Sequence, residues 1–201
     1  MPILLSALSA TGAGLVVERS AGAAAHVVTS YSFDPGREFR VRHHGVLLGG
    51  LQIPDGIALT SDRRWIAISN HSDGTVRIYE NGPGLDRKSA PVGILGGIGS
   101  PHGIRFCRDD TRLVVADAGT PYLRVFESDD ADWAVTKEPD RSVRVMDDAT
   151  FRLGSVGPGE GGPKGIAIDR DEQVLIVTSE HQVLAGFDLQ EILAQRVRGL
   201  A

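Results

Sequence analysis

Short β-branched runs alternate with polar turns along most of the chain, and one order of runs returns three times. Pro54-Asp55-Gly56-Ile57-Ala58-Leu59 leads to Trp65-Ile66-Ala67-Ile68-Ser69-Asn70 and then to Thr75-Val76-Arg77-Ile78-Tyr79-Glu80. Pro101-His102-Gly103-Ile104-Arg105-Phe106 leads to Leu113-Val114-Val115-Ala116-Asp117 and then to Leu123-Arg124-Val125-Phe126-Glu127. Pro163-Lys164-Gly165-Ile166-Ala167-Ile168 leads to Val174-Leu175-Ile176-Val177-Thr178 and then to residues 183–188. Runs of this length, rich in Val and Ile and bounded by Asp, Arg, Gly and Ser, predict strands joined by tight turns. A fourth run closes two of the units, residues 39–48 before Pro54 and residues 92–95 before Pro101. A weaker copy lies upstream, where Leu15-Val16-Val17 aligns with Ile66-Ala67-Ile68. The first helical period is expected at Leu189–Val197.

Pro54 and Pro101 are 47 residues apart, and Pro101 and Pro163 are 62 apart. The longer spacing places an insertion in the polar stretch 128–162. Four antiparallel strands per unit at this period predict an all-β fold of β-propeller blades, with approximate limits 1–50, 51–97, 98–160 and 161–201. About four blades leave two sheet edges to be covered, so the ring is expected to be incomplete or closed by a second copy through its open edges.

Residues 54–79 resemble an NHL-type or lactonase-type propeller blade, and the likeness extends roughly over residues 1–190. The regucalcin/gluconolactonase group and the peptidylamidoglycolate lyases carry similar blades. The resemblance implies metal-assisted hydrolysis of a small ester or lactone at the central channel, or lyase chemistry there. It also implies a metal-binding Asp at the Asp55 position and a metal-ligand His at the His102 position. Lys164 departs from both patterns. The alternative is a non-catalytic propeller that binds a protein or ligand on its face, since this scaffold hosts many unrelated functions.

The fold pattern narrows where chemistry can sit. In an antiparallel pair, the start of the first strand and the end of the second share one end of the blade. That end is expected to gather Asp55, His102 and Lys164 with Asn70, His71, Asp117, Glu180 and His181, and Glu18 from the weaker unit. Asp55, His102, Asn70 and Asp117 are the candidate metal ligands, His102 or His71 the candidate base, and Lys164, Glu180 and His181 candidate ligand-binding groups. Oxygen-rich sets favour Ca²⁺, whereas sets with two or more imidazoles favour Zn²⁺. Structural readings stay open beside these. Asp55 and Asp117 suit turns, Asn70 sits near an Asp-Gly hairpin signal, His102 suits a loop contact, and Lys164, Glu180 and His181 suit a solvated rim.

Composition removes other classes. The net charge of −5 with scattered basic residues argues against nucleic-acid or anionic-membrane partners and leaves a small molecule or protein. Aromatic residues make up 5%, which weakens a sugar-stacking role. Cys107 is the single cysteine and falls in a strand run, where a core thiol is expected. The apolar N-terminus has no basic start and aligns with blade strands, so a cytoplasmic location is expected. His43-His44 reads as outer-strand surface, and Gly157-Pro158-Gly159-Glu160-Gly161-Gly162, without a P-loop ending, as a flexible connection between blades.

Overall fold

A computed structural model describes residues 5–8, 13–18, 26–32, 42–155 and 160–195, with side chains from Leu47 onward. The first sheet holds β1 (Leu5–Leu8), β2 (Ala13–Glu18), β3 (His26–Ser32) and β4 (Arg42–Leu51) in that order. The second begins with β5 (Pro54–Leu59), β6 (Trp65–Asn70), β7 (Thr75–Glu80) and β8 (Gly93–Leu95). The third contains β9 (Pro101–Cys107), β10 (Arg112–Asp117) and β11 (Tyr122–Glu127). Next comes the short strand β12 (Thr136–Lys137), which pairs in parallel with β8 and so widens the second sheet to five strands. β13 (Arg141–Arg144) closes the third sheet against β11. After helix α1 (Asp148–Gly154), a three-stranded sheet of β14 (Ile166–Ile168), β15 (Val174–Val177) and β16 (Ala185–Asp188) leads into helix α2 (Leu189–Ala194).

Both helices start on an aspartate. Asp147 accepts from Thr150 N at 2.9 Å, and Asp188 accepts from Gln190 N at 2.7 Å and Glu191 N at 3.1 Å. Helix α1 is too short to show a helical period in sequence, while α2 lies where the period at Leu189 predicts one.

The apolar runs are explained by burial on both faces. All six residues of β6 are buried. Ile66 and Ile68 pack with Leu48, Leu51, Ile57 and Tyr79 toward the first sheet. Their alternates Trp65 and Ala67 pack with Ile104, Leu113, Val115 and Phe126 toward the third. On β10 the pattern repeats, with Val114 and Ala116 turned toward Ile166, Leu175, Val177 and the apolar side of α2. Each sheet is therefore one layer of a continuous stack, and each buried Leu or Ile contributes about 1.5–3 kcal/mol.

Two devices join neighbouring sheets. At one end, a Cβ on Gly56 would stand 2.2 Å from His102 O, and one on Gly103 would stand 2.7 Å from Lys164 O. In the first two Pro-x-Gly units the glycine is thus the place where one inner strand touches the backbone of the next. At the other end, Ser61 N donates to Asp110 Oδ2 at 2.7 Å, and Arg108 N donates to Glu172 Oε2 at 2.9 Å. These are the same contact made by successive units.

Cys107 is buried, and desolvation pushes its thiol up to about 12, so it stays protonated as a core residue. No helix among the described residues is long and apolar enough to cross a membrane. The side chains of Glu18, His43 and His44, and all of residues 157–159, lie outside the described residues.

Candidate functional site

The registers Pro54↔Asn70 and Pro101↔Asp117 set the start of each inner strand beside the end of the next strand. Inner strands β5, β9 and β14 then run side by side and present their x residues to one face. Asp55, His102 and Lys164 meet there at a cavity of about 410 Å³ that is also lined by Ile57, Arg105 and Thr178.

His102 Nδ1 is paired with the Asp55 carboxylate. The His102 ring stands edge-on to His71, with centroids 4.9 Å apart and planes at 84°. Between them comes Glu160. Its Oε1 lies 2.9 Å from His71 Nε2, and its Oε2 lies 4.0 Å from His102 Nε2. Nε2 of both imidazoles is buried; Glu160 Oε1 is the polar neighbour of His71 Nε2, and His102 Nε2 makes no hydrogen bond. Lys164 Nζ lies 3.6 Å from Glu160 Oε2 and 3.6 Å from Glu180 Oε2. His71, His102 and Glu160 bring one ligand atom each to within 4.8 Å of one another, the one such group of His, Cys, Asp and Glu among the described residues.

Burial pushes the His71 imidazole below its ordinary value of 6.5, and neighbouring His102 adds to this while Glu160 and Asp55 oppose it. The folded chain then binds fewer protons at His71 than the unfolded chain does. Its contribution to stability is complete above about pH 6.5 and is lost as the pH falls through the folded value. In chelator-treated protein, the melting temperature should fall below pH 6.5 more steeply for wild type than for His71→Gln. Superimposable pH profiles would contradict the shift.

Asn70 and Asp117 occupy equivalent ends of β6 and β10, both fully buried, and Asp117 does not join this group. Asn70 Oδ1 accepts from Gln52 N. Asp117 accepts from Gly99 N at 3.1 Å, Ser100 N at 2.9 Å, Gly119 N at 3.1 Å and Arg124 Nε at 2.9 Å. Each holds the loop that precedes its own Pro-x-Gly, which satisfies buried backbone donors. Asp55 faces the His102 ring, Glu180 faces Lys164, and His181 is exposed outside the group.

Glu160 has no place in the repeat and was not among the residues expected at the site. It sits in the glycine-rich connection, and Gly161 and Gly162 are both buried. A Cβ on Gly162 would stand 2.0 Å from Thr120 O, and one on Gly161 would stand 2.0 Å from Phe151 O. Gly162 N also donates to Ala118 O at 2.8 Å. At these two positions the glycines are a close-packing device that carries Glu160 over the two histidines, not a slack linker.

Stacked antiparallel sheets with inner strands side by side, joined at repeated glycines, are the architecture of a β-propeller. Solved structures agree on the fold. A Bacteroides fragilis protein assigned as a 6-phosphogluconolactonase matches with a TM-score of 0.63 at 18% identity, over 90% of this chain and 51% of that one. Hydrazine synthase from Kuenenia stuttgartiensis matches with a TM-score of 0.59 at 16% identity, over 90% and 44%. The periplasmic gluconolactonase of Pseudomonas aeruginosa matches with a TM-score of 0.57 at 16% identity, over 88% and 53%. The chain therefore spans about half the length of the propellers it matches. No family model matches the sequence, and no curated protein does.

Proposed function

We propose that the chain carries the reactive face of a lactonase-type propeller hydrolase, which opens a small ester or lactone at the axial cavity with the help of a divalent cation. His71, His102 and Glu160 would hold the ion. The observation that carries this reading is the pair of buried imidazole Nε2 atoms converging on one carboxylate. Two imidazoles with one carboxylate suit Zn²⁺ better than Ca²⁺.

An ion in that position supplies a Lewis acid for the acyl oxygen and lowers the pKa of a bound water. The chain's own residues do the rest. Asp55 accepts a hydrogen bond from His102 Nδ1–H, which fixes the tautomer and turns the Nε2 lone pair toward the site. Burial keeps His71 neutral near pH 7, as a ligand must be. Lys164 stands between Glu160 and Glu180, where it balances part of the negative charge at the cavity mouth. The propeller lactonases of similar fold support the reaction class.

Metal analysis of the purified chain tests the proposal. One divalent ion per chain is expected, with a melting temperature that drops on adding EDTA and recovers with Zn²⁺. A chain without bound ion, whose melting temperature ignores both additions, would assign this face to binding instead of hydrolysis.

A further inference from the structure

Arg105 breaks the repeat. Two residues after the Pro-x-Gly glycine, the second unit has Ala58 and the fourth has Ala167, while the third has Arg105. This position faces the next blade. Arg105 pairs across the ladder with Val114, whose side chain belongs to the cluster shared with the fourth sheet. An arginine here brings a guanidinium into a place that the fold otherwise fills with a methyl group.

The charge has no structural partner among the described residues. Its one hydrogen bond runs from Nη1 to the adjacent Ile104 carbonyl, at 2.8 Å. Its half-buried setting disfavours the charged form through desolvation alone, with no carboxylate to offset it. Lys164, the other strong cation on the cavity wall, faces Glu160 and Glu180. A half-buried cation without a carboxylate beside it, opening onto the site cavity, is explained by a ligand that brings the counter-charge.

We propose that Arg105 is the specificity residue of the axial cavity and binds an oxyanion, carboxylate or phosphate, carried by the substrate. Resting on the hydrolase reading above, this defines the substrate as an acyl compound with an anionic tail. Arg105 stands three residues along β9 from His102, about 10 Å of extended chain. The tail must therefore reach from the reacting carbonyl at the histidines to the deeper part of the cavity. A guanidinium suits this task because its planar fork can meet two oxygens at once.

The test is thermal unfolding of the chelator-treated chain in sodium phosphate and in sodium acetate, against sodium chloride at matched ionic strength. At least one of the two oxyanions should raise the melting temperature of the wild type by several degrees, because a ligand that binds only the folded state stabilises it. A rise with phosphate alone identifies a phosphoryl tail, and a rise with acetate a carboxylate tail. Arg105→Met should lose the rise, and in chloride it should melt no lower than wild type. Arg105→Lys, which keeps the charge without the fork, should retain part of the rise. No rise in wild type, an equal rise in Arg105→Met, or a lower melting temperature of Arg105→Met in chloride would each overturn the proposal. Chelation leaves only the anion site under test. A failed metal analysis with an intact anion effect would sink the hydrolase reading alone, and the reverse would sink this one.

Discussion

Asp117→Ala should lower the free energy of unfolding by about 3–5 kcal/mol. The carboxylate is fully buried and serves three backbone N–H groups and the Arg124 guanidinium. Removing it strands a half-buried cation together with the donors of Gly99, Ser100 and Gly119. Arg124 retains Ser142 and Thr120 as hydroxyl partners, and neither carries a compensating charge. Asp117→Asn keeps one acceptor oxygen and should lose less, about 1–3 kcal/mol. Urea unfolding of the two variants measures the difference. A loss under about 1 kcal/mol in Asp117→Ala would mean that the network is not the support described here.

The second large effect falls on the ion site. Asp55→Asn should weaken Zn²⁺ binding about 10–100-fold, the usual cost of removing a carboxylate behind a ligating histidine. An asparagine can still accept a hydrogen bond from Nδ1–H, so this variant separates the charge of Asp55 from its hold on the ring. His102→Ala deletes a donor atom outright and should weaken binding further. Competition with a chelator of known affinity gives both values. In the presence of EDTA the two variants should melt close to wild type, because their defect lies in the loaded state. Unchanged affinity in Asp55→Asn would exclude a role for the Asp55 charge, and unchanged affinity in His102→Ala would exclude His102 from the site.

The repeat made most of the architecture legible, and it also shows why the site was only partly so. Strand order, the shared end of the blades and the meeting of Asp55, His102 and Lys164 all follow from aligning the units. Asn70 and Asp117 looked like ligands because a polar side chain returns at the same point in each unit. That recurrence reflects a structural task repeated in each blade, the holding of the loop before Pro-x-Gly. The x residue, by contrast, changes from Asp to His to Lys, and there the blades differ in chemistry. Glu160 escaped because it belongs to no unit. A single acid among glycines gives no periodic signal, and its position depends on the backbone contacts of Gly161 and Gly162, which exist only in the folded chain. Arg105 escaped for a related reason, since within one strand it reads as an ordinary alternating polar residue. Its meaning appears only beside Ala58 and Ala167.

The crossing made by β12 has a bearing on how the chain comes apart. The segment leaves the third sheet after β11, buries Trp133 between the second and third sheets, pairs along β8, and returns to form β13. The backbone of Trp133 and Val135 lies so close to Gly93 that a Cβ there would stand 2.3 Å from Trp133 O. Blades two and three are thereby laced together and should open as one unit in hydrogen exchange, so a domain boundary drawn between Leu95 and Pro101 would cut through their shared contacts.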